Sequence, residues 1–310
     1  MDNSVMRVST GPDVYVAGYA NGSGVYWKND SAVYLPNSAN PATIYFSGND
    51  VYVGGSANKP GWTNPGVAYW KNDSLVTVSD GSNREFENSM FVSGSDVYLA
   101  GIRFTAYSWE AIYWKNGNPV ILYDSTPFAN ATSIFVSGND VYVTGGGNVA
   151  EYWKNGNPVI LYDSTPYANA TSIYVSGNDV YVAGNVINGA HVVIAYWKNG
   201  NRSILSDTSR DAYANSLFVS GTDVYVAGRE NNGAHDVAKY WKNGASVSLT
   251  DGSQDVSATS IYVFDNDVYV TGAQNNGNGN AAAQYWKNGK PVVLSTASAY
   301  TTFTSSIFVK

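Results

Sequence analysis

Short runs of β-branched and aromatic residues, broken by Gly, Asn, Asp and Ser, follow one another along the whole chain. Runs of four to eight such residues bounded by turn formers predict strands. No stretch sustains a period of 3.6 with caps, so no helix is predicted. The runs also repeat. Asp-Val-Tyr begins at Asp13, Asp50, Asp96, Asp140, Asp179, Asp223 and Asp267, at intervals of 37, 46, 44, 39, 44 and 44 residues. Each copy is followed by Tyr-Trp-Lys-Asn, with its tryptophan at Trp27, Trp70, Trp114, Trp153, Trp197, Trp241 and Trp286. A unit of roughly 42 residues is the length of one propeller blade.

One unit, Ser172 to Leu205, divides into four strands. Strand A is predicted over Ser172–Val175, followed by a turn at Gly177-Asn178. Strand B covers Asp179–Ala183 and stops at Gly184. Strand C covers Ala195–Lys198, and Asn199-Gly200 turns the chain into strand D, Arg202–Leu205. Asn-Gly between alternating apolar residues is a strong hairpin signal. Seven such units predict an all-β, seven-bladed β-propeller with four antiparallel strands per blade, occupying residues 1–310 as one domain.

Strand A occurs an eighth time at the end of the chain, as Ser306-Ile307-Phe308-Val309-Lys310. Its N-terminal version, residues 5–12, is the poorest match and carries an extra residue. The C-terminal strand is therefore expected to join the first blade beside Asp13-Val14-Tyr15-Val16, which closes the ring and removes an open edge. Tyr113–Val143 and Tyr152–Val182 are nearly identical, differing only at Phe128/Tyr167 and Phe135/Tyr174. A catalytic site takes different residues from different blades, so repetition of this kind points to a binder or a scaffold, natural or engineered.

The layout is similar to the kelch class in placing a double glycine after a strand, as at Gly54-Gly55 and Gly145-Gly146. The other units carry one glycine, and the Tyr-Trp spacing differs from kelch. The chain more closely resembles bacterial repeat proteins built on Ser-Gly-Asn-Asp-Val-Tyr-Val-Ala-Gly and Tyr-Trp-Lys-Asn-Gly. That resemblance implies the propeller fold and brings no activity, cofactor or site residue with it.

Composition narrows the function. Lys and Arg number 17 against 24 Asp and Glu, a net charge of -7, which argues against a nucleic-acid surface. Without cysteine there is no disulfide, thiolate nucleophile or Cys-based metal site. No run approaches 18 apolar residues, so no membrane insertion is expected. The first residues lack the pattern of a signal peptide. Abundant Tyr, Asn, Ser, Thr and Gly with modest charge suits an extracellular or cell-surface protein.

Up-and-down strand order sends the A–B and C–D turns to one face and the variable B–C and D–A loops to the other. A binding site is expected on the variable face. Two tryptophans fall outside the repeat register, Trp62 and Trp109, in the B–C loops of blades 2 and 3. Beside them stand Asn58, Lys59, Arg103, Phe104, Tyr107 and Glu110. Exposed aromatics among hydrogen-bonding side chains suit the C–H face and hydroxyls of a sugar, and equally a protein hot spot. In the opposing reading, both loops fold down and bury their own tryptophans. The candidate ligand-binding set is Trp62, Arg103, Phe104, Tyr107, Trp109 and Glu110.

The remaining patterns read structurally. Asp at the start of strand B and Lys at the end of strand C form one cross-strand pair per blade, against a ring of acidic groups for cations. The register Tyr and Trp pack between blades. His191 and His235 occupy the same place in blades 5 and 6, as a repeated loop or as a metal pair. Asp124–Pro127, Asp163–Pro166 and Asp251–Ser253 are turn formers in D–A loops. No nucleophile elbow or phosphate loop is present. A glycosidase would need two converging carboxylates, with Glu110, Glu151 and Glu230 as candidates. The expected function is non-enzymatic recognition of a glycan or protein partner, without a cofactor or metal. A structural or engineered scaffold is the alternative, and a propeller glycoside hydrolase the third.

Overall fold

The computed structural model describes residues 11–122, 129–147, 149–161, 167–275, 281–294 and 302–310. Residues 5–10, the turn formers at 124–127 and 163–166, and the blade 7 loop at 276–280 lie outside them. The chain forms seven four-stranded antiparallel sheets, with no helix among the described residues. Each sheet is ordered A-B-C-D along the chain except the first, whose A strand is Phe303–Val309 from the C-terminus. That strand pairs with Val14–Ala20, and Asp13 and Lys310 exchange backbone hydrogen bonds at 2.8 and 3.0 Å. The ring is closed as expected.

The C–D turn shows why asparagine follows Tyr-Trp-Lys in every copy. Asn199 holds φ at 50° and Gly200 at 81°, the left-handed pair that a two-residue hairpin requires. The Asn199 carboxamide then does two further jobs. Its Oδ1 accepts the Val180 N–H at 2.9 Å, and its Nδ2 donates to Asp179 at 2.8 Å. Asp179 also pairs with Lys198 at 2.7 Å, and the Lys198 ammonium lies 5.1 Å from the Tyr181 ring. The same Asp–Lys pair closes at 2.7–3.1 Å in every blade. Glycine could make the turn, but not these bonds.

Strands A and B run further than the sequence pattern indicates. In blade 5 strand A is Ala168–Ser176, and strand B passes through Gly184 to Asn188. Gly184 sits opposite a β-bulge, where the A–B register shifts between Ala170 and Ser172. A Cβ on Gly184 would lie 2.0 Å from the Asn169 carbonyl oxygen. The glycine lets two backbones approach at the bulge and does not end the strand. Gly18, Gly101, Gly145 and Gly228 meet strand A carbonyls in the same way, at 1.8–2.1 Å.

The bulge recurs in all seven blades, and hydrogen bonds beside it tie blades 3 to 7 and blade 1 in succession. The Ile134 N–H donates to Ser89 Oγ of blade 3, Ile173 N–H to Ser133 Oγ, and Leu217 N–H to Ser172 Oγ, at 3.0–3.3 Å. Asn88, Thr132 and Asn215, the bulged residues themselves, donate to Ala131, Ala170 and Ala258 carbonyls at 2.7–2.9 Å. Between the blades the register tryptophans are buried to within 1 %. Trp197, for example, packs with Tyr142 and Leu161 of the preceding blade. At the axis Tyr45, Phe91, Phe135, Tyr174, Phe218, Tyr262 and Phe308 form a closed ring, neighbouring centroids 4.7–5.6 Å apart.

Candidate functional site

The B–C hairpin of blade 3 gathers most of the expected site. Strands Asp96–Phe104 and Trp109–Lys115 pair directly, with Phe104 opposite Trp109 and Arg103 opposite Glu110. Thr105 fixes the tip. Its N–H donates to the Ser108 carbonyl at 2.9 Å, and its Oγ1 accepts the Ser108 N–H at 3.0 Å. Tyr107 stands at that tip with 94 % of its surface exposed, and Trp109 is 45 % exposed.

Alternation of side chains splits the hairpin into two rows. One row, on the side facing blade 4, is aromatic and cationic. Trp109 meets Phe104 edge-on at 5.3 Å, Phe104 meets Phe86 at 5.7 Å, and the Arg84 guanidinium lies 5.0–5.2 Å over both phenylalanines. This row is uncovered because the hairpins differ in height. Ten residues separate the paired Gly101 and Ile112 in blade 3, but only five separate Gly145 and Glu151 in blade 4.

The other row faces blade 2 and is charged. Arg103 donates to Glu85 at 2.6 Å and stands 3.9 Å from Glu110. The Ser82 hydroxyl and N–H, with the Arg103 charge behind them, hold Asp80 below the usual carboxylate range. One step deeper lies Glu87, where blades 4 to 7 have Ala131, Ala170, Ala214 and Ala258. Only 5 % of Glu87 is exposed. Its Oε1 accepts the Thr43 hydroxyl at 2.6 Å, and its Oε2 is buried without a partner. Room for it comes from Gly54, whose Cβ would fall 2.8 Å from that carboxylate. Burial pushes the Glu87 carboxyl up to about 8, against the opposing Thr43 bond.

Trp62 does not join the blade 3 cluster. It is half-buried and lies on two glycines of its own blade, a Cβ on Gly66 or Gly81 meeting its ring at 2.5 and 2.7 Å. Lys59 covers the ring at 5.7 Å. Trp62 therefore packs its own loop, while Trp109 is presented. Glu151 is buried in blade 4, and Glu230 of blade 6 is paired with Lys239. These two stand on separate blades from Glu110. His191 and His235 each face an aspartate, Asp211 at 3.2 Å and Asp255 at 3.4 Å. Glu85, Glu87, Arg84 and Phe86 escape sequence reasoning. Their signal is Arg84-Glu85-Phe86-Glu87, which puts carboxylates at two strand A positions that blades 4, 5 and 6 fill with alanine.

No protein-family model matches the chain, and no curated protein does. Among solved structures it is similar to a puromycin-hydrolyzing peptidase of Mycobacterium tuberculosis, with a TM-score of 0.54 and 9% identity over 84% of this chain and 47% of that one. It is also similar to the acylaminoacyl peptidase of Pyrococcus horikoshii, with a TM-score of 0.58 and 12% identity over 91% of this chain and 50% of that one. The chain spans about half the length of each peptidase. At these identities the likeness is one of fold alone.

Proposed function

We propose that this chain is a non-enzymatic binding propeller and that its ligand is a glycan docked on the step between blades 3 and 4. The observation that carries this reading is the exposed Tyr107 and Trp109 pair on a hairpin whose tip and base are both fixed. Every register tryptophan is buried, so an exposed indole here departs from the rule of the molecule. An indole or phenol face stacks on the C–H face of a sugar ring. Arg84 supplies donors beside it. The carboxylates nearby favour binding over hydrolysis. Glu85 is tied to Arg103 and Glu87 is enclosed behind Thr43, so neither is offered to a glycosidic oxygen, and Glu110, 3.9 Å from the same arginine, is the one carboxylate left on the loop end of the hairpin. A bacterial repeat protein working at the cell surface would use such a site.

A glycan array probed with the wild type and with a Tyr107→Ala/Trp109→Ala variant tests the reading. Binding by the wild type that the variant loses, at an unchanged melting temperature, is the expected result. An array silent to the wild type would overturn the glycan assignment and leave a protein ligand or a bare scaffold.

A further inference from the structure

The seven A strands enclose a second feature, a cavity of about 230 Å³ on the axis. Every residue lining it is uncharged. Its walls are tiered by the bulge. The aromatic ring lies toward the A–B turns, followed by a tier of serines with Thr43 in blade 2, and then by the bulged residues toward the variable face.

The hydrogen-bonding state of these tiers selects a ligand. Strand A is the inner edge of its blade and pairs only with strand B, so alternate backbone N–H groups, which could bind an anion, point away from B. Ser89, Ser133, Ser172, Ser216 and Ser260 accept those N–H groups at 3.0–3.4 Å. Of the carbonyls that could bind a cation, those of Ala131, Ala170 and Ala258 accept from Asn88, Thr132 and Asn215 of the neighbouring blade. Two kinds of group are left for a ligand. The serine oxygens, with the unpartnered Ser305 hydroxyl of the bulged tier, keep a proton to donate, and Asn88 and Asn215, three blades apart in the ring of seven, keep a carboxamide oxygen to accept. Hydroxyl donors and amide acceptors above an aromatic ring match neither charge sign. They match a molecule that both donates and accepts around its rim and has an apolar face.

We infer that the axial cavity is a binding site for one small neutral cyclic polyol, with its C–H face toward the aromatic ring and its hydroxyls shared between the serine tier and Asn88 and Asn215. A free polyol and the terminal sugar of a longer glycan offer the same chemistry. The site is separate from the blade 3 hairpin and does not depend on the reading given to it.

Calorimetric titration of the whole protein with myo-inositol, D-glucose and dextran distinguishes the sources. Binding of myo-inositol or D-glucose at one per chain is expected, and binding of dextran as well would identify a glycan terminus. Asn88→Thr/Asn215→Thr installs the residue that blades 4, 5 and 7 carry at this place, so the fold is expected to persist, as circular dichroism can check. Removing two acceptors should weaken binding roughly tenfold or more. Failure of both myo-inositol and D-glucose to bind the wild type would overturn the inference, as would binding that the double variant leaves unchanged.

Discussion

Glu87 shows how far one residue can depart from its repeat. An alanine position has become a buried carboxyl, and Gly54 on the facing blade has given up a side chain to admit it. The pH consequence has a definite sign. The folded-state carboxyl titrates at about 8, above its ordinary 4.5, so the folded protein holds a proton that the unfolded chain releases. Stability from this group is full below pH 4.5 and falls as pH rises toward 8, by on the order of 1 kcal/mol per pH unit. Urea unfolding at pH 5 and pH 8 should show that fall in the wild type. Glu87→Gln, or the consensus pair Glu87→Ala/Gly54→Ala, should abolish it. An equal fall in both variants would assign it to another group. The register aspartates act at the other end of the scale. Their lysine and asparagine partners hold them below 3.8, so their contribution is lost as pH falls through that depressed range.

At the scale of the element, the hairpins were legible because their chemistry is local. Asn199-Gly200 names its own turn, and Asp179 with Lys198 names its own pair. The bulge was not legible. Its mark is Gly184, which read as the end of a strand because glycine ends strands more often than it admits a carbonyl from a partner distant in sequence. The two glycines of blade 5 separate these roles. Gly184→Ala puts a Cβ 2.0 Å from a backbone oxygen that cannot move without breaking the bulge, and should cost about 3 kcal/mol. Gly189→Ala meets no neighbour and pays only for its φ of 64°, about 1 kcal/mol. Equal costs in chemical denaturation would contradict the assignment. The site was half legible for a similar reason. Surplus aromatics single out Trp62 and Trp109 equally, but only the neighbouring hairpin heights and the glycines beneath Trp62 show which one is presented.

The whole molecule depends on closure. Ile307, Phe308 and Val309 of the C-terminal strand pack against blades 7 and 2 as well as blade 1. A chain ending at residue 302 would leave Val14–Ala20 as an open edge and uncover apolar faces on both sides. Loss of the cooperative thermal transition is expected for that truncation, and a melting temperature equal to that of the full chain would refute the dependence. A ring closed in this way holds its loops at fixed heights, which is what leaves the blade 3 hairpin standing above blade 4. The most direct test of the binding site exploits a coincidence of length. Ten residues separate Gly101 from Ile112 in blade 3, and ten separate Gly184 from Ala195 in blade 5. Ile187–Val192 can therefore replace Phe104–Trp109 while Arg103 and its Glu85 pair stay in place. The measurement is the binding isotherm of this graft for the glycan that the wild type binds best on the array. Lost binding at an unchanged melting temperature is the expected result. An isotherm identical to that of the wild type would contradict the assignment of the blade 3 hairpin.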